Sequence, residues 1–228
     1  MHIIDLLVLH KIAKKHHAKK LLKEGHVRVN GQIITDNIDV EEGEVYFDDH
    51  QLDLHPLKYY MINKPAQYIC ANRDDKDPCI VELMPRKDLH IVGRLDRDTT
   101  GLLLLTNDIK LRKRLTLPLY HIEKTYQFTC LHPLTKEEVD KANEGVVIDD
   151  NHLCECFIQM KDEKEGYITI HEGRYHEVKK IFLSLNNKIL SLKRISFGHL
   201  KLGHLQEGKY RHLSDDEIAT LRESVYLD

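Results

Sequence analysis

An apolar run preceded by a polar, glycine-containing loop is the feature that most constrains how this chain can fold. Residues 102–105 are four consecutive leucines. A short, wholly apolar run of this kind predicts a strand buried on both faces. Residues 93–101 just before it hold two glycines and four charged side chains. The segment therefore predicts a turn-rich loop at the mouth of a buried strand, where a rigid scaffold can hold a functional carboxylate.

Two carboxylates lie in this loop, Asp96 and Asp98. In a glycoside hydrolase two carboxyl groups face each other across the substrate, about 5–9.5 Å apart. Two aspartates so close in one extended segment can lie at that distance, but they cannot flank a glycosidic bond from opposite sides. The sequence therefore does not favour glycoside hydrolysis. From the residues alone, a second interpretation remains: a salt-bridged loop without a catalytic role, in which Asp96 pairs with Arg94 or Arg97.

The first 58 residues predict a small unit of two helices packed on a sheet. Apolar residues within 3–9 and within 18–22 recur at helical spacing. Around Asn30-Gly31 polar and apolar residues alternate, which predicts a hairpin with a type I′ turn. Residues 44–47 predict a further strand, and the polar segment 48–58 predicts a linker. We therefore expect domains at 1–58 and 59–228.

Beyond residue 58 short strands alternate with a few helices, without the rhythm of repeated βαβ units or a nucleotide-binding glycine motif. The pattern predicts an α+β fold whose larger domain has a mostly antiparallel mixed sheet flanked by helices and loops. Expected strands are 59–63, 102–106, 124–130, 153–160, 167–171 and 189–197, and expected helices are 80–84, 109–117, 136–143, 175–185 and one opened by the capping box at Ser214.

Taken as totals, the net charge of −3 and the pI near 6.6 argue against a nucleic-acid binder. Along the chain, however, the charge falls into blocks: net +6 over 10–28, −8 over 36–53, +4 over 86–114, −6 over 136–165 and +4 over 171–194. Basic blocks attract phosphate backbones, although solvated faces of mixed charge explain the blocks equally well. We expect a basic surface on one side, with the acidic stretches facing away from an RNA.

Several classes of protein are disfavoured by the sequence. It contains no run of about 20 apolar residues, as a membrane span requires. At the N-terminus the lysines follow the apolar residues, which reverses the order of a signal peptide. The five cysteines lack paired spacings typical of zinc ligands. We therefore expect a cytoplasmic protein with no metal and no membrane partner, and its cysteines as buried thiols in a reducing compartment.

Five segments resemble, in the same order, the motifs of the RsuA-type pseudouridine synthases. The small N-terminal unit resembles the RNA-binding domain named after ribosomal protein S4, and together the segments cover essentially the whole chain. The motifs are the N-terminal unit, Asn63-Lys64-Pro65, residues 93–96 with 99–108, residues 123–126 and residues 172–180.

This resemblance implies an enzyme that isomerises uridine in RNA to pseudouridine. It makes Asp96 the catalytic carboxylate, Tyr126 the tyrosine that stacks on the target base and assists proton removal, and Lys179 the basic partner that keeps Asp96 ionised. The target base is expected to flip out of its helix. No metal or organic cofactor is implied, because the reaction is redox-neutral. The residues alone leave two alternatives: Tyr126 is a tyrosine of the hydrophobic core, and Lys179 is a solvent-exposed residue of a helix.

The last of these motifs, residues 172–180, implies the substrate. Arg174-Tyr175-His176 resembles the small-subunit enzymes, which points to uridine 516 of 16S rRNA, free or in a small-subunit assembly intermediate. Alternatives are 23S rRNA, another RNA, or a non-catalytic assembly factor. The chain is expected to act as a monomer. Glu177 departs from the usual Gln and Ile109 from a frequent Gly. The RNA-contacting residues are expected to be Arg94, Arg97, Lys64, Arg174, His176, Lys180, Lys15, Lys19, Lys20, Lys23 and Arg28.

Overall fold

The computed structural model describes residues 1–149 and 151–227. The chain folds into two units with separate interiors, Met1–Lys58 and Tyr59–Asp228. Among the described helices none has both the length and the apolar composition needed to cross a membrane.

In the first unit two helices pack on a small antiparallel sheet. Leu6, Leu7, Ala18 and Leu22 bury the inner faces of the helices. At the hairpin, Asn30 and Gly31 both have positive φ, 49° and 82°, as a type I′ turn requires. The elements are α1 (Ile3–Leu9), α2 (Lys15–Lys23), β1 (Val27–Val29), β2 (Gln32–Ile34), β3 (Val45–Phe47) and β4 (His50–Leu52), with strand order β2-β1-β3-β4.

Strand β4 corrects the expectation of a linker over the whole of 48–58. Phe47 pairs with His50 across a two-residue turn, in which Asp48 adopts a positive φ of 50°. The polar composition that suggested a linker belongs to a hairpin, and only Leu52 of its second strand is buried.

The second unit is built on a mixed sheet. Its strands are β5 (Tyr59–Lys64), β6 (His90–Val92), β7 (Thr100–Thr106), β8 (Lys124–Cys130), β11 (Cys156–Met160), β12 (Glu165–Ile170), β13 (Ile189–Phe197), β14 (Leu200–Lys201) and β15 (Tyr210–His212). The strand order is β11-β12-β8-β13-β7-β5-β15, and β14 pairs with β13 and β6 with β7 as branches. Around it lie α3 (Ile109–Leu115), α4 (Lys136–Asn143), α5 (Glu177–Ser184), α6 (Asp215–Glu223), the 3₁₀ turns Ile80–Leu83 and Pro118–Tyr120, and the separate hairpin β9 (Val146–Ile148) and β10 (His152–Cys154). The predicted α+β fold is confirmed.

The leucine run forms β7 and is buried on both faces of the sheet, as predicted. Leu103 and Leu105 pack into one hydrophobic cluster, whereas Leu102 and Leu104 pack into another. Strand β7 pairs with β13 in parallel, and Gly101 lies opposite Arg194. The polar loop of residues 93–99 is thus carried at the start of a strand with no solvent-facing side.

Several predicted elements differ in their limits. Residues 153–160 form two strands in different sheets, so Cys154 and Cys156 do not share one strand as expected. The helix predicted over 80–84 is a single 3₁₀ turn, Ile80–Leu83. The helix predicted over 175–185 is α5, which begins at Glu177. The missed strands β6, β9, β14 and β15 have at most three residues each, too few for an apolar periodicity to be recognised.

Replacing Gly101 by Ala is expected to destabilise the second unit by about 3–5 kcal/mol, from backbone strain and overpacking together. Gly101 has φ +104°, and an added Cβ would lie 2.6 Å from the Arg194 nitrogen and closer still to its carbonyl oxygen. Urea unfolding measures the loss. Gly203→Ala is the matched control, since Gly203 also has positive φ but nothing within 4 Å, and it should lose only about 1 kcal/mol. Equal losses in the two variants would contradict the close approach of β7 and β13.

Candidate active site

The loop of residues 93–99 connects β6 to β7 and is held from below by a buried lysine. Lys64 is fully buried at the end of β5. Its ammonium donates to the carbonyl oxygens of Thr99 at 2.8 Å, Pro65 at 3.1 Å and Arg97 at 3.3 Å. Burial lowers the pKa of Lys64. These bonds fix the backbone on both sides of Asp98 and so set the direction in which the loop presents its carboxylates.

Asp96 stands in a small ion cluster between this loop and α5. Its Oδ2 lies 3.0 Å from Nζ of Lys179, and its Oδ1 lies 3.4 Å from Nε2 of His176. The side chains of Asp96 and Lys179 are 26% and 24% exposed. Asp96 is therefore half-buried and reachable, and it pairs with groups from α5 rather than with Arg94 or Arg97.

Lys179 is shared between two carboxylates. It donates to Asp98 Oδ1 at 2.7 Å and to Oδ2 at 3.0 Å, in addition to its contact with Asp96. Burial opposes the charge of Lys179, but its bonds to Asp98 and Asp96 outweigh burial and raise its pKa. Burial alone would raise the pKa of Asp98, and the hydrogen bond and charge of Lys179 lower it instead. Both groups thus stay charged at neutral pH.

The start of α5 is shaped by a buried carboxylate, Glu177. Its Oε2 accepts hydrogen bonds from the backbone N–H groups of Gly173 and Arg174, each at 2.6 Å. The preceding residue, His176, adopts a left-handed conformation with φ 56°. Glu177 is thus turned inward, where it ties residues 173 and 174 to the start of α5.

The floor of the cleft is the ring of Tyr126, and two buried cations lie close to it. Tyr126 on β8 is buried, and burial raises the pKa of its hydroxyl, which is therefore protonated at neutral pH. Arg194 on β13 is also buried, with Cζ 6.0 Å from the Tyr126 ring and Nε donating to the Leu102 carbonyl at 2.7 Å. Lys124 donates to three carbonyl oxygens, and burial lowers its pKa to about 8.

Sequence reasoning missed Asp98, Lys124 and Arg194 as parts of the site. For Arg194 a weak signal exists, because Leu192, Arg194 and Ser196 alternate on the buried face of β13. Reading that strand with a period of two places a guanidinium inside the protein. The cleft itself is lined by Arg94, Leu95, Asp96, Thr99, Tyr126, Ile170, Gly173, Arg174, His176, Glu177, Val178, Lys179 and Leu192.

Comparison with known proteins identifies the family to which this chain belongs. Residues 58–184 match the family model described as RNA pseudouridylate synthase, and residues 3–45 match that of the S4 domain. The chain belongs to the pseudouridine synthase family. A crystal structure of a pseudouridylate synthase superposes with a TM-score of 0.69 at 33% identity, covering 97% of this chain and 99% of that one.

Relatives of this pseudouridine synthase extend over most of its length. Ribosomal small subunit pseudouridine synthase A of Haemophilus influenzae is 36% identical over 90% of this chain and 92% of that protein. The enzyme of the same name in Escherichia coli is 32% identical with the same coverage. An uncharacterized RNA pseudouridine synthase of Bacillus subtilis is 31% identical over 98% of this chain and 99% of its own.

The residues expected to contact RNA occupy different positions in this synthase. Arg94 and Arg174 line the cleft, although Arg174 also pairs with Glu172 at 2.7 Å. Arg97 is exposed and pairs with Asp77 at 3.1 Å. Lys64 is a correction: it is buried against backbone carbonyls, so it supports the loop instead of facing an RNA.

Charge is less segregated than the blocks along the chain suggested. Lys180 on α5 pairs with Asp149, which belongs to an acidic stretch. In the first unit Arg28 donates to the Asp48 carbonyl and pairs with Asp49 at 3.1 Å. The lysines of α2 are exposed, although Lys15 lies 3.9 Å from Asp5 and Lys20 lies 3.6 Å from Glu24. These lysines are Lys15, Lys19, Lys20 and Lys23.

The part of the chain that the structure describes contains no group of three or more His, Cys, Asp or Glu placed to hold a metal ion. Its cysteines are free thiols, half-buried at Cys70 and buried at Cys79, Cys130, Cys154 and Cys156.

Replacing Lys179 by Met is expected to raise the pKa of Asp98, because this carboxyl loses its cation and keeps Asp96 as a neighbour. NMR titration of the aspartate carboxyl carbons measures the change. In the native protein the pKa of Asp98 is lowered from its ordinary value of 3.8, and that of Lys179 is raised from its ordinary value of 10.5. The ion cluster therefore stabilises the folded state fully at pH values between 3.8 and 10.5. Its contribution is lost as the pH falls through the lowered pKa of Asp98 or rises through the raised pKa of Lys179.

Lys201→Met, which removes an exposed lysine of β14, should leave the Asp98 titration unchanged. The same titration curve in native protein and Lys179→Met would contradict the shared ammonium.

Proposed function

We propose that this pseudouridine synthase isomerises one uridine of small-subunit ribosomal RNA, uridine 516 of 16S rRNA, with Asp96 as its catalytic carboxylate. The observation that carries the proposal is the pairing of Asp96 with Lys179 and His176 at the mouth of a cleft floored by Tyr126. The names of the Haemophilus influenzae and Escherichia coli relatives support the small subunit as the source of the RNA.

The reaction breaks the N1–C1′ bond of uridine, turns the uracil and joins its C5 to C1′. The C5 proton is lost and N1 gains one, so atoms and charge balance without a redox partner. Attack on the sugar, attack on the base and removal of a sugar proton are three routes open to the carboxylate. Each needs Asp96 ionised and in contact with the nucleotide. The ammonium of Lys179 lies 3.0 Å from Asp96 Oδ2, and Asp98 holds Lys179 in place.

Tyr126 supplies an aromatic face and a neutral hydroxyl to the detached ring. Stacking of a base on an aromatic side chain contributes about 1–3 kcal/mol. Because burial raises its pKa, the hydroxyl is a hydrogen-bond donor at neutral pH and not a phenolate. The guanidinium of Arg194 lies beside this ring. Negative charge that develops on uracil when the N1–C1′ bond breaks would thus meet a fixed cation.

The recessed position of Asp96 requires the target nucleotide to leave its stack. A base inside a helix cannot bring its C1′ to a half-buried carboxylate, so base flipping is part of the mechanism. We propose that residues 59–228 carry out this step, and that residues 1–58 bind the RNA backbone through the exposed lysines of α2. A partner RNA in the cytoplasm and a monomeric enzyme complete the proposal.

Asp96→Asn is expected to lower pseudouridine formation at least about 1,000-fold, because an amide can neither act as a nucleophile nor accept a proton. Chemical mapping of pseudouridine in 16S rRNA incubated with each protein measures this. Asp215→Asn, in the first turn of α6, is the control and should keep full activity. Thermal unfolding of both variants checks that the fold is retained. Full activity of Asp96→Asn would remove Asp96 from the mechanism.

A panel of RNAs distinguishes the possible substrates. Free 16S rRNA, small-subunit assembly intermediates and 23S rRNA are incubated with the native enzyme, and pseudouridine is mapped in each. We expect a single modified position, uridine 516, in one or both of the 16S samples. Modification of 23S rRNA alone would overturn the proposed target. Tight binding without modification in any sample would favour a non-catalytic assembly factor.

A further inference from the structure

Tyr175 exposes its ring beside the active site. The side chain is 67% exposed, whereas Tyr126, the other tyrosine of the site, is buried. Tyr175 lies on the turn that leads into α5, directly before His176. Large aromatic side chains gain most of their stabilisation from burial, so an exposed ring contributes little to the fold.

The ring is nevertheless held in a defined orientation. It stacks on the imidazole of His176 with the two ring centres 3.8 Å apart and the planes at 21°. The Nζ of Lys180 lies 5.6 Å from the centre of the Tyr175 ring and is itself held by Asp149. Because the side chain remains two-thirds exposed, neither contact covers the ring.

The stack ends on the proposed catalytic carboxylate. Nε2 of His176 lies 3.4 Å from Oδ1 of Asp96. Tyr175, His176 and Asp96 therefore form a continuous path from a solvent-facing aromatic surface to the carboxylate. Arg174, which precedes Tyr175, is half-exposed and pairs with Glu172.

We propose that Tyr175 is a stacking platform for an unpaired nucleobase that neighbours the target uridine in the bound RNA. The inference rests on the proposed function. When the target flips into the cleft, its neighbours lose a stacking partner. An aromatic ring at the mouth of the cleft replaces that partner for any base, because every base has a π face. Through its stack on His176, an occupied platform also holds the imidazole against Asp96.

The chain contains no tryptophan, so Tyr175→Trp places a single fluorescent reporter on the platform. The probe RNA is an oligoribonucleotide with the 16S sequence around uridine 516, offered either as a single strand or as a closed duplex. Quenching by the single strand, and much less by the duplex, is expected. Tyr226→Trp is the matched control, because Tyr226 is 83% exposed and contacts Tyr120, and its fluorescence should not change.

Kinetics separate a platform from a merely structural role. Tyr175→Ala is expected to raise KM for the RNA about tenfold, the effect of one lost stacking contact, with a smaller change in kcat. Tyr175→Phe should restore KM, because the aromatic face and not the hydroxyl makes the contact. Tyr226→Ala should match the native enzyme. An unchanged KM in Tyr175→Ala, or an unquenched tryptophan at 175 while RNA is bound, overturns the inference.

These outcomes are distinct from failure of the proposed function. Conversion of the 16S target with no response at position 175 rejects the platform and leaves the function standing. Quenching by RNA that is never converted rejects the function and leaves the platform.

Discussion

The shared ammonium of Lys179 is the interaction on which the site depends. It joins the loop before β7 to the first turns of α5, two segments about 80 residues apart in sequence. With two carboxylates on one lysine, the cluster carries net negative charge. Asp98 holds the lysine with the shorter contact and Asp96 keeps an oxygen within reach of His176. Asp96 is thereby placed in a recess without being enclosed, because the lysine that pairs with it is also held by Asp98.

Around this cluster the protein uses buried cations to support its backbone. Lys64 ties the loop to the end of β5, Lys124 binds the carbonyl oxygen of Glu172 at the start of the motif 172–180, and Arg194 binds a carbonyl of β7. Burying a charge is unfavourable unless carbonyl dipoles replace water. Lys64 and Lys124 each donate to three carbonyl oxygens, whereas Arg194 donates to that of Leu102 and its Nη2 is buried without a hydrogen bond. The resulting scaffold is rigid where chemistry is proposed. The platform residue Tyr175, by contrast, lies on the solvent side of the same turn.

The sequence predicted the parts of the fold whose signals are local and strong. The leucine run predicted that β7 is buried on both faces, and the Asn30-Gly31 pair predicted a type I′ hairpin. The pattern of residues 136–143 predicted helix α4. Short strands such as β15 were missed because three residues carry no periodicity. The expectation that Lys64 faces RNA was wrong. Its ammonium is buried against the carbonyl oxygen of Thr99, which is 35 residues away in the chain, so no local pattern reveals the contact. The pairing of Asp96 with Lys179 came from the motif resemblance, and composition alone left it open.

By itself the sequence determined the family, the α+β class and the order of motifs, because these follow from contiguous residues and their spacing. Only the tertiary structure decided which charges act together. Lys179 divides its hydrogen bonds between Asp96 and Asp98, Glu177 turns inward to two backbone amides, and Arg194 goes beneath Tyr126. Coulombic and hydrogen-bond energies depend on distances of a few ångströms and on burial. Such distances between residues remote in the chain exist only once β7, β13 and α5 have packed together.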